Sequence, residues 1–260
     1  MSDRQDQDQP RAVRLHELKR GGEIRARWGW VKGPVWTDRM LEALERGVKG
    51  GKWHSLIDKV YQSGNLLDAW QQVKRNHGGG GVDKMTLHQF SEHLSSRLET
   101  LQKQVQEGSY EPLPVRRTYI RKSGGGRRPL GIPAVKDRVV QAALRNVIEP
   151  IFENQFEESS YGFRPGRGCK DALREVDLQL KAGKSWVVDV DVEAYFDSIP
   201  FDELMHEVSE QIADGRVLDL IEGFLRQGIL EEMKFWLPER GTPQGAVISP
   251  LLANLYLHPL

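Results

Sequence analysis

Asp189 and Asp191, one residue apart in the apolar run Trp186-Val187-Val188-Asp189-Val190-Asp191-Val192, are the side chains of this sequence best placed to do chemistry. The run predicts a core strand. Side chains on a strand alternate between faces, which gives Val188, Val190 and Val192 one face and both carboxylates the other. Burying an unpaired charge is costly, so acids in such a strand need a reason. A hard cation is one: Mg2+ takes carboxylate oxygens and leaves room for substrate phosphates. Two such ions can stabilise the attacking and leaving oxygens of a phosphoryl transfer. A salt bridge at a strand end is the plainer reason, and Asp-x-Asp alone does not decide between them.

Cations and aromatic rings surround this pair in the sequence. YGFRPGRG (161–168) sets Arg164 and Arg167 beside Tyr161 and Phe163. In such a pattern cations neutralise phosphates while rings stack on bases or sugars; a structural turn built on Pro165, Gly166 and Gly168 is the alternative. YIRKSGGGRRPLGIP (119–133) predicts a hairpin with Arg121 and Lys122 on one arm and Arg127 and Arg128 on the other, a flap able to clamp a triphosphate. No Gly-Lys-Ser/Thr follows its glycines, so it is not a Walker loop. In RGTPQGAVISP (240–250) Gln244 offers a neutral hydrogen-bonding side chain between Pro243 and Gly245. From Arg116 to Arg145, nine basic residues stand against one acid, Asp137, in a chain whose net charge is zero. A segment of this kind binds phosphates without a high overall pI, or is a solvated basic face.

The elements that must position these residues are mixed. Residues 1 to about 36 form a polar leader broken by glycines, in which Trp28, Trp30 and Trp36 suggest partial docking. Helical spacing follows at Met40, Leu41 and Leu44 and at Leu56, Ile57 and Val60. Asn65 can cap a helix through Leu66, Ala69, Trp70 and Val73. Thr86 and Gln89 make a capping-box pattern before the stripe Phe90, Leu94, Leu98, Leu101 and Val105, which Gly108 ends. Strands are predicted for 115–121 and 128–132, and a helix opening at Asp137. Further on, helices are predicted for 201–212, 217–226 and 247–256 and a strand for 229–237. This irregular order indicates an α+β fold, with boundaries near residues 36 and 111.

A single cysteine, Cys169, excludes an internal disulfide framework and suits a reducing interior. No apolar run approaches the roughly 20 residues that span a bilayer. The first residues carry no signal-peptide core, which leaves the cytoplasm as the expected location and no membrane partner.

Read in order, NLLDAWQQVKRNHGGGGVD, GSYEPLPVRRTYIRKSGGGRRPLGIPAVKDRVVQAALRNVIEPIFE, SSYGFRPGRG, DVDVEAYFDSI and GTPQGAVISPLLANLYL resemble the reverse transcriptases encoded by group II introns. The likeness covers roughly residues 36–260. It implies a right-hand polymerase: a helical N-terminal extension (37–111), then fingers and the first part of a palm (112–260). It also implies an RNA template (intron RNA), a DNA primer, dNTPs and Mg2+. Asp191 matches the family's first catalytic, metal-binding aspartate, and the Val192 carbonyl would face the same ion. Phe196 matches the residue that excludes a ribose 2′-OH. Lys122 and Arg128 match finger residues that hold the triphosphate, and Gln244 and Gly245 the loop under the nucleotide. Arg121, Arg127, Tyr161, Arg164 and Arg167 are the expected nucleic-acid contacts. Asp189 then either supports the ion site from behind Asp191 or is structural, and Asp197 caps the following turn.

One departure stands out. The family carries two more catalytic aspartates in a Y-x-D-D hairpin after the helix that runs to Leu260, and no Asp-Asp pair occurs in these 260 residues. The expectation is a fragment: a naturally truncated gene, a broken reading frame or an expressed piece. It would be inactive alone, with an RNA-binding maturase-like module or an inert remnant of a mobile element as the competing functions.

Overall fold

The computed structural model describes residues 22–48, 50–121 and 124–259. Lys122 and most of the leader lie outside them. Of the leader's tryptophans, Trp28 and Trp36 are buried in the core, and the Trp36 Nε1–H donates to the Asn146 carbonyl.

Helix α1 (Asp38–Arg46) starts at Thr37, whose hydroxyl accepts from the Met40 N–H, and it buries Leu41 and Leu44. After the short α2 (Ile57–Val60), helix α3 (Ser63–Arg75) buries Leu66, Ala69, Trp70 and Val73. Asn65 is not its cap. Asn65 lies inside the first turn, fully buried, and donates its amide to the carbonyls of Lys59, Val60 and Ala143. The expected capping box is present: α4 (Leu87–Glu92) begins with reciprocal bonds between Thr86 and Gln89. The stripe from Phe90 to Val105 is cut at His93, where a ψ of 39° starts a second helix, α5 (Leu94–Glu107). Gly108 closes it in the left-handed conformation.

Helix α6 (Val135–Glu153) is the centre of the molecule. It opens two residues before Asp137 and buries 15 of its 19 residues, among them the polar Asp137, Arg138, Gln141 and Asn146. One continuous core joins it to α3, to the N-terminal tryptophans and to the later helices α9 (Phe201–Gln211), α10 (Gly215–Leu225) and α11 (Ser249–Leu257). Beside this core stands a four-stranded sheet in the order β2-β1-β3-β4. Strand β1 (Val115–Arg121) pairs antiparallel with β2 (Arg127–Ile132) and parallel with β3 (Ile229–Glu231), which turns at Glu232 and Met233 into β4 (Lys234–Trp236). The stretch expected as one strand, 229–237, is therefore a hairpin; Glu232 sits at φ +54° in its turn.

The expected core strand at 186–192 is absent. Helix α7 (Cys169–Lys181) buries none of its residues, and the chain from 184 to 192 is irregular. Trp186 and Val188 are 96% and 88% exposed. A strand persists only where its backbone N–H and C=O groups find a ladder, and no strand among the described residues pairs with this stretch. The helical turn α8 (Tyr195–Ser198) then leads into α9.

Candidate nucleotide-binding site

Three segments remote in sequence converge at the end of β2. The hairpin register sets Arg128 opposite Ile120 and Arg127 opposite Arg121, which gathers three exposed guanidinium groups near its tip. At the base of β2, the Gly131 N–H donates to the Gln244 carbonyl at 2.6 Å, which fastens the 240–246 loop to the hairpin. Gly245 has φ +107°, and a Cβ there would overlap the Gly131 carbonyl. The approach of the two segments thus requires glycine.

The same loop grips α8. The Thr242 N–H donates to the Phe196 carbonyl at 2.7 Å, and the Gly241 N–H to the Ile199 carbonyl at 2.7 Å. Above these bonds runs a side-chain relay. Arg128 Nε donates to Gln244 Oε1 at 2.9 Å, and Gln244 Nε2 donates to Asp197 Oδ2 at 3.2 Å. Phe196 packs edge-on against Tyr195, whose hydroxyl donates to the Ala253 carbonyl of α11. From below, the Gln141 side chain of α6 accepts from the Val247 N–H. The assembly presents a cation, an amide and an aromatic ring on one scaffold. That set suits an anionic, ring-bearing ligand such as a nucleotide.

Of the residues singled out in the sequence, Arg128, Phe196, Gln244 and Gly245 are brought together. Asp197 joins them, although sequence reasoning gave it only a turn cap; its carboxylate serves Gln244. The one signal that pointed to it was its place beside Phe196. Arg121 and Arg127 stand nearby on the hairpin. Asp191 and Val192 lie on the exposed stretch before α8. Mg2+ needs converging oxygen ligands. Asp191 offers one carboxylate, and among the described residues no three His, Cys, Asp or Glu side chains gather to hold a metal ion.

The basic segment divides in two. Arg116 donates to the Gly80 carbonyl, Arg138 to those of His77 and Gly79, and Lys136 to that of Glu111, so these cations hold the 77–80 turn and the approach to β1. Arg121, Arg127 and Arg128 remain exposed. In YGFRPGRG the Arg164 guanidinium is buried against Glu153 and donates to the Ser160 carbonyl, so it faces the protein. Arg167 lies over the Tyr161 ring and pairs with Glu158.

Residues 120–260 match the family model described as reverse transcriptase (RNA-dependent DNA polymerase). The chain belongs to the reverse transcriptase family.

The chain is 42% identical over 182 residues to Protein YkfC of Escherichia coli K12, covering 68% of the chain and 48% of that protein. It is 38% identical over 195 residues to the group II intron-encoded protein LtrA of Lactococcus lactis, covering 74% of the chain and 32% of LtrA. Against nuclear intron maturase 1 of Arabidopsis thaliana it is 33% identical over 113 residues, 44% of the chain and 16% of the maturase. These relatives bear out the resemblance to group II intron reverse transcriptases and maturases. The chain spans 48% of the length of the first of these and 32% of the second. Among solved structures, a partial Cas6-RT-Cas1–Cas2 complex superposes with a TM-score of 0.54 at 23% identity, covering 78% of the chain and 34% of that one, and shares its fold. No helix among the described residues is long and apolar enough to cross a membrane.

Proposed function

We propose that this chain carries the nucleotide-holding part of an RNA-directed DNA polymerase of the group II intron type. Its template is RNA, intron RNA above all; its primer is DNA and its substrates are dNTPs. The observation that carries the reading is the Arg128–Gln244–Asp197 relay, with Phe196 beside Asp197 on α8 and bound through its carbonyl to the Thr242 N–H of the loop. Arg128 takes the triphosphate, and Lys122, which lies outside the described residues, is assigned the same role. Gln244 and Gly245 form the floor under the nucleotide, and Phe196 stands against the sugar, where a 2′-OH would collide. Asp191 and the Val192 carbonyl are the chain's contribution to holding Mg2+. Arg121, Arg127, Tyr161 and Arg167 lie on the path of the nucleic acid, and Arg164 holds that path's turn in shape.

Equilibrium binding of a fluorescent dNTP and the matching NTP, in Mg2+, tests the proposal. Arg128→Ala is expected to weaken both, because it removes a charge-assisted hydrogen bond to phosphate. Phe196→Ala is expected to narrow the preference for the deoxy form. A dNTP that binds no better to the parent chain than to both variants refutes the site.

A second reading is RNA binding without chemistry, favoured by the exposed position of Asp191 and the lack of a carboxylate cluster among the described residues. Salt-dependent RNA binding with no nucleotide affinity would select it.

A further inference from the structure

We infer that the cavity between the end of α3, the middle of α6 and the YGFRPGRG turn binds an unpaired nucleotide of a single-stranded polynucleotide, with its phosphate inside and its base on the Phe163 ring. The cavity has a volume of about 480 Å³. None of its lining residues belongs to the β1–β2 hairpin, the Asp191 stretch or the Gln244 loop, so it lies apart from the nucleotide site; it shares the YGFRPGRG turn with the nucleic-acid path proposed above and rests on that part of the reading.

Its chemistry is that of an anion site. Lys32, Arg75, Arg145 and Arg164 line it, with Glu149 as the only lining carboxylate among the described residues. Glu149 faces Arg145, and Arg164 is taken up by Glu153. Lys32 and Arg75 have no carboxylate partner among the described residues, and the exposed Asn76 amide lies beside them. The surplus positive charge sits in a concavity, where it attracts phosphate more strongly than on a flat face.

Phe163 supplies the second, independent observation. Its ring is 72% exposed at the cavity wall, and its backbone sits at φ +56°. A bulky residue pays a steric penalty there that glycine would avoid. An apolar ring in water contributes nothing to folding that offsets it. The loop is nevertheless clamped on both sides of the ring. Asn254 Nδ2 donates to the Gly162 carbonyl at 2.7 Å, and the buried Arg164 ties the next residue to Glu153 and Ser160. A fixed ring beside cations is a stacking platform whose ordering cost is already met by the fold. Trp30 lines the same cavity and offers a second ring. An acidic peptide would use the cations and leave both rings idle, and inorganic phosphate would do the same.

Fluorescence anisotropy with labelled oligouridylate and oligodeoxythymidylate tests this. Phe163→Ala is expected to weaken binding on the order of tenfold, as losing one base stack does. Phe163→Tyr is expected to keep it. Lys32→Glu with Arg75→Glu is expected to reduce the salt slope by about 0.7 for each phosphate no longer neutralised. Both effects should persist when Arg121, Arg127 and Arg128 are alanine, which separates this site from the hairpin. The strand that loses more affinity, RNA or DNA, is the pocket's ligand. Because Phe163 and Arg75 are exposed, the variants are expected to melt with the parent chain. Unchanged binding in variants that melt normally overturns the inference. So does oligoglutamate that displaces oligouridylate as well as unlabelled oligouridylate does.

Discussion

Arg128 donates its Nε–H to the side-chain oxygen of Gln244 at 2.9 Å, across 116 positions of the chain. A free arginine on a hairpin samples many rotamers; this bond selects one before any ligand arrives. Gln244 is held in turn by its bond to Asp197, so the amide cannot flip without losing both partners. Gln244→Ala is therefore expected to lower dNTP affinity severalfold while changing stability by less than about 1 kcal/mol, as surface bonds do. Gln244→Glu should differ, since its carboxylate faces Asp197. Binding curves and melts of the two variants check both statements, and equal affinity in Gln244→Ala and the parent chain removes the relay from the site.

The loop depends on Gly245. Alanine there would carry φ +107° and place its Cβ against the carbonyl of Gly131, the residue whose N–H fastens this loop to the base of β2. The left-handed backbone alone costs roughly 1–2 kcal/mol, and the overlap adds to it. Gly245→Ala is expected to lower the melting temperature and to reduce dNTP affinity together. Exposed Gly124, with open space around it, is the control: alanine there should leave affinity intact.

The parts of this fold that were legible in the sequence are those fixed by local chemistry. The Thr86–Gln89 box, the left-handed Gly108 and the β1–β2 hairpin each follow from residues a few positions apart. The relay was legible only in pieces, because no local signal says that 128 meets 244. Two failures share a cause. The stretch 186–192 has the composition of a core strand, but a strand is a pairing between segments, and among the described residues it has no partner. Asn65 has the residue type of a cap, but its position inside the first turn makes it a buried bridge to α6. Composition reports what a residue can do, and packing decides which option is used.

Asp137 gives the chain a pH dependence. It is buried and accepts from the Tyr110 hydroxyl at 2.6 Å and from the Leu113 N–H. Burial raises its pKa to about 6, with the Tyr110 and Leu113 bonds and Lys136 working against that rise. An unfolded aspartate titrates near 3.9, so between about pH 4 and 6 the folded state holds the extra proton. Its stabilising contribution is thus fully present below pH 4 and is lost as pH rises through 6. At roughly 1.4 kcal/mol per unit this amounts to on the order of 2–3 kcal/mol. Asp137→Asn removes the titration, so the parent chain should gain stability relative to the variant as pH falls from 7 to 4. Denaturant melts at several pH values measure this, and a parent–variant difference that stays constant with pH would show that Asp137 titrates normally.

Asn65 carries the last prediction. Its amide nitrogen bonds the carbonyls of Lys59, Val60 and Ala143, and its oxygen accepts from Asn146 Nδ2 at 2.9 Å, all inside the core. Asn146 accepts from Gln72 through its side chain and from Trp36 through its carbonyl, so one network ties the leader, α3 and α6 together. Leucine at 65 would match the volume but leave buried carbonyls without donors, and each orphaned group costs about 1–3 kcal/mol. Asn65→Leu is therefore expected to destabilise the chain by several kcal/mol, although it makes the core more apolar. Because the two amides satisfy each other, removing both should cost less than the sum of removing each. A double-mutant cycle with Asn65→Ala and Asn146→Ala should show a coupling of about 0.5–3 kcal/mol. Additive losses would mean that the two side chains act separately and that α3 is held on α6 by its apolar face alone.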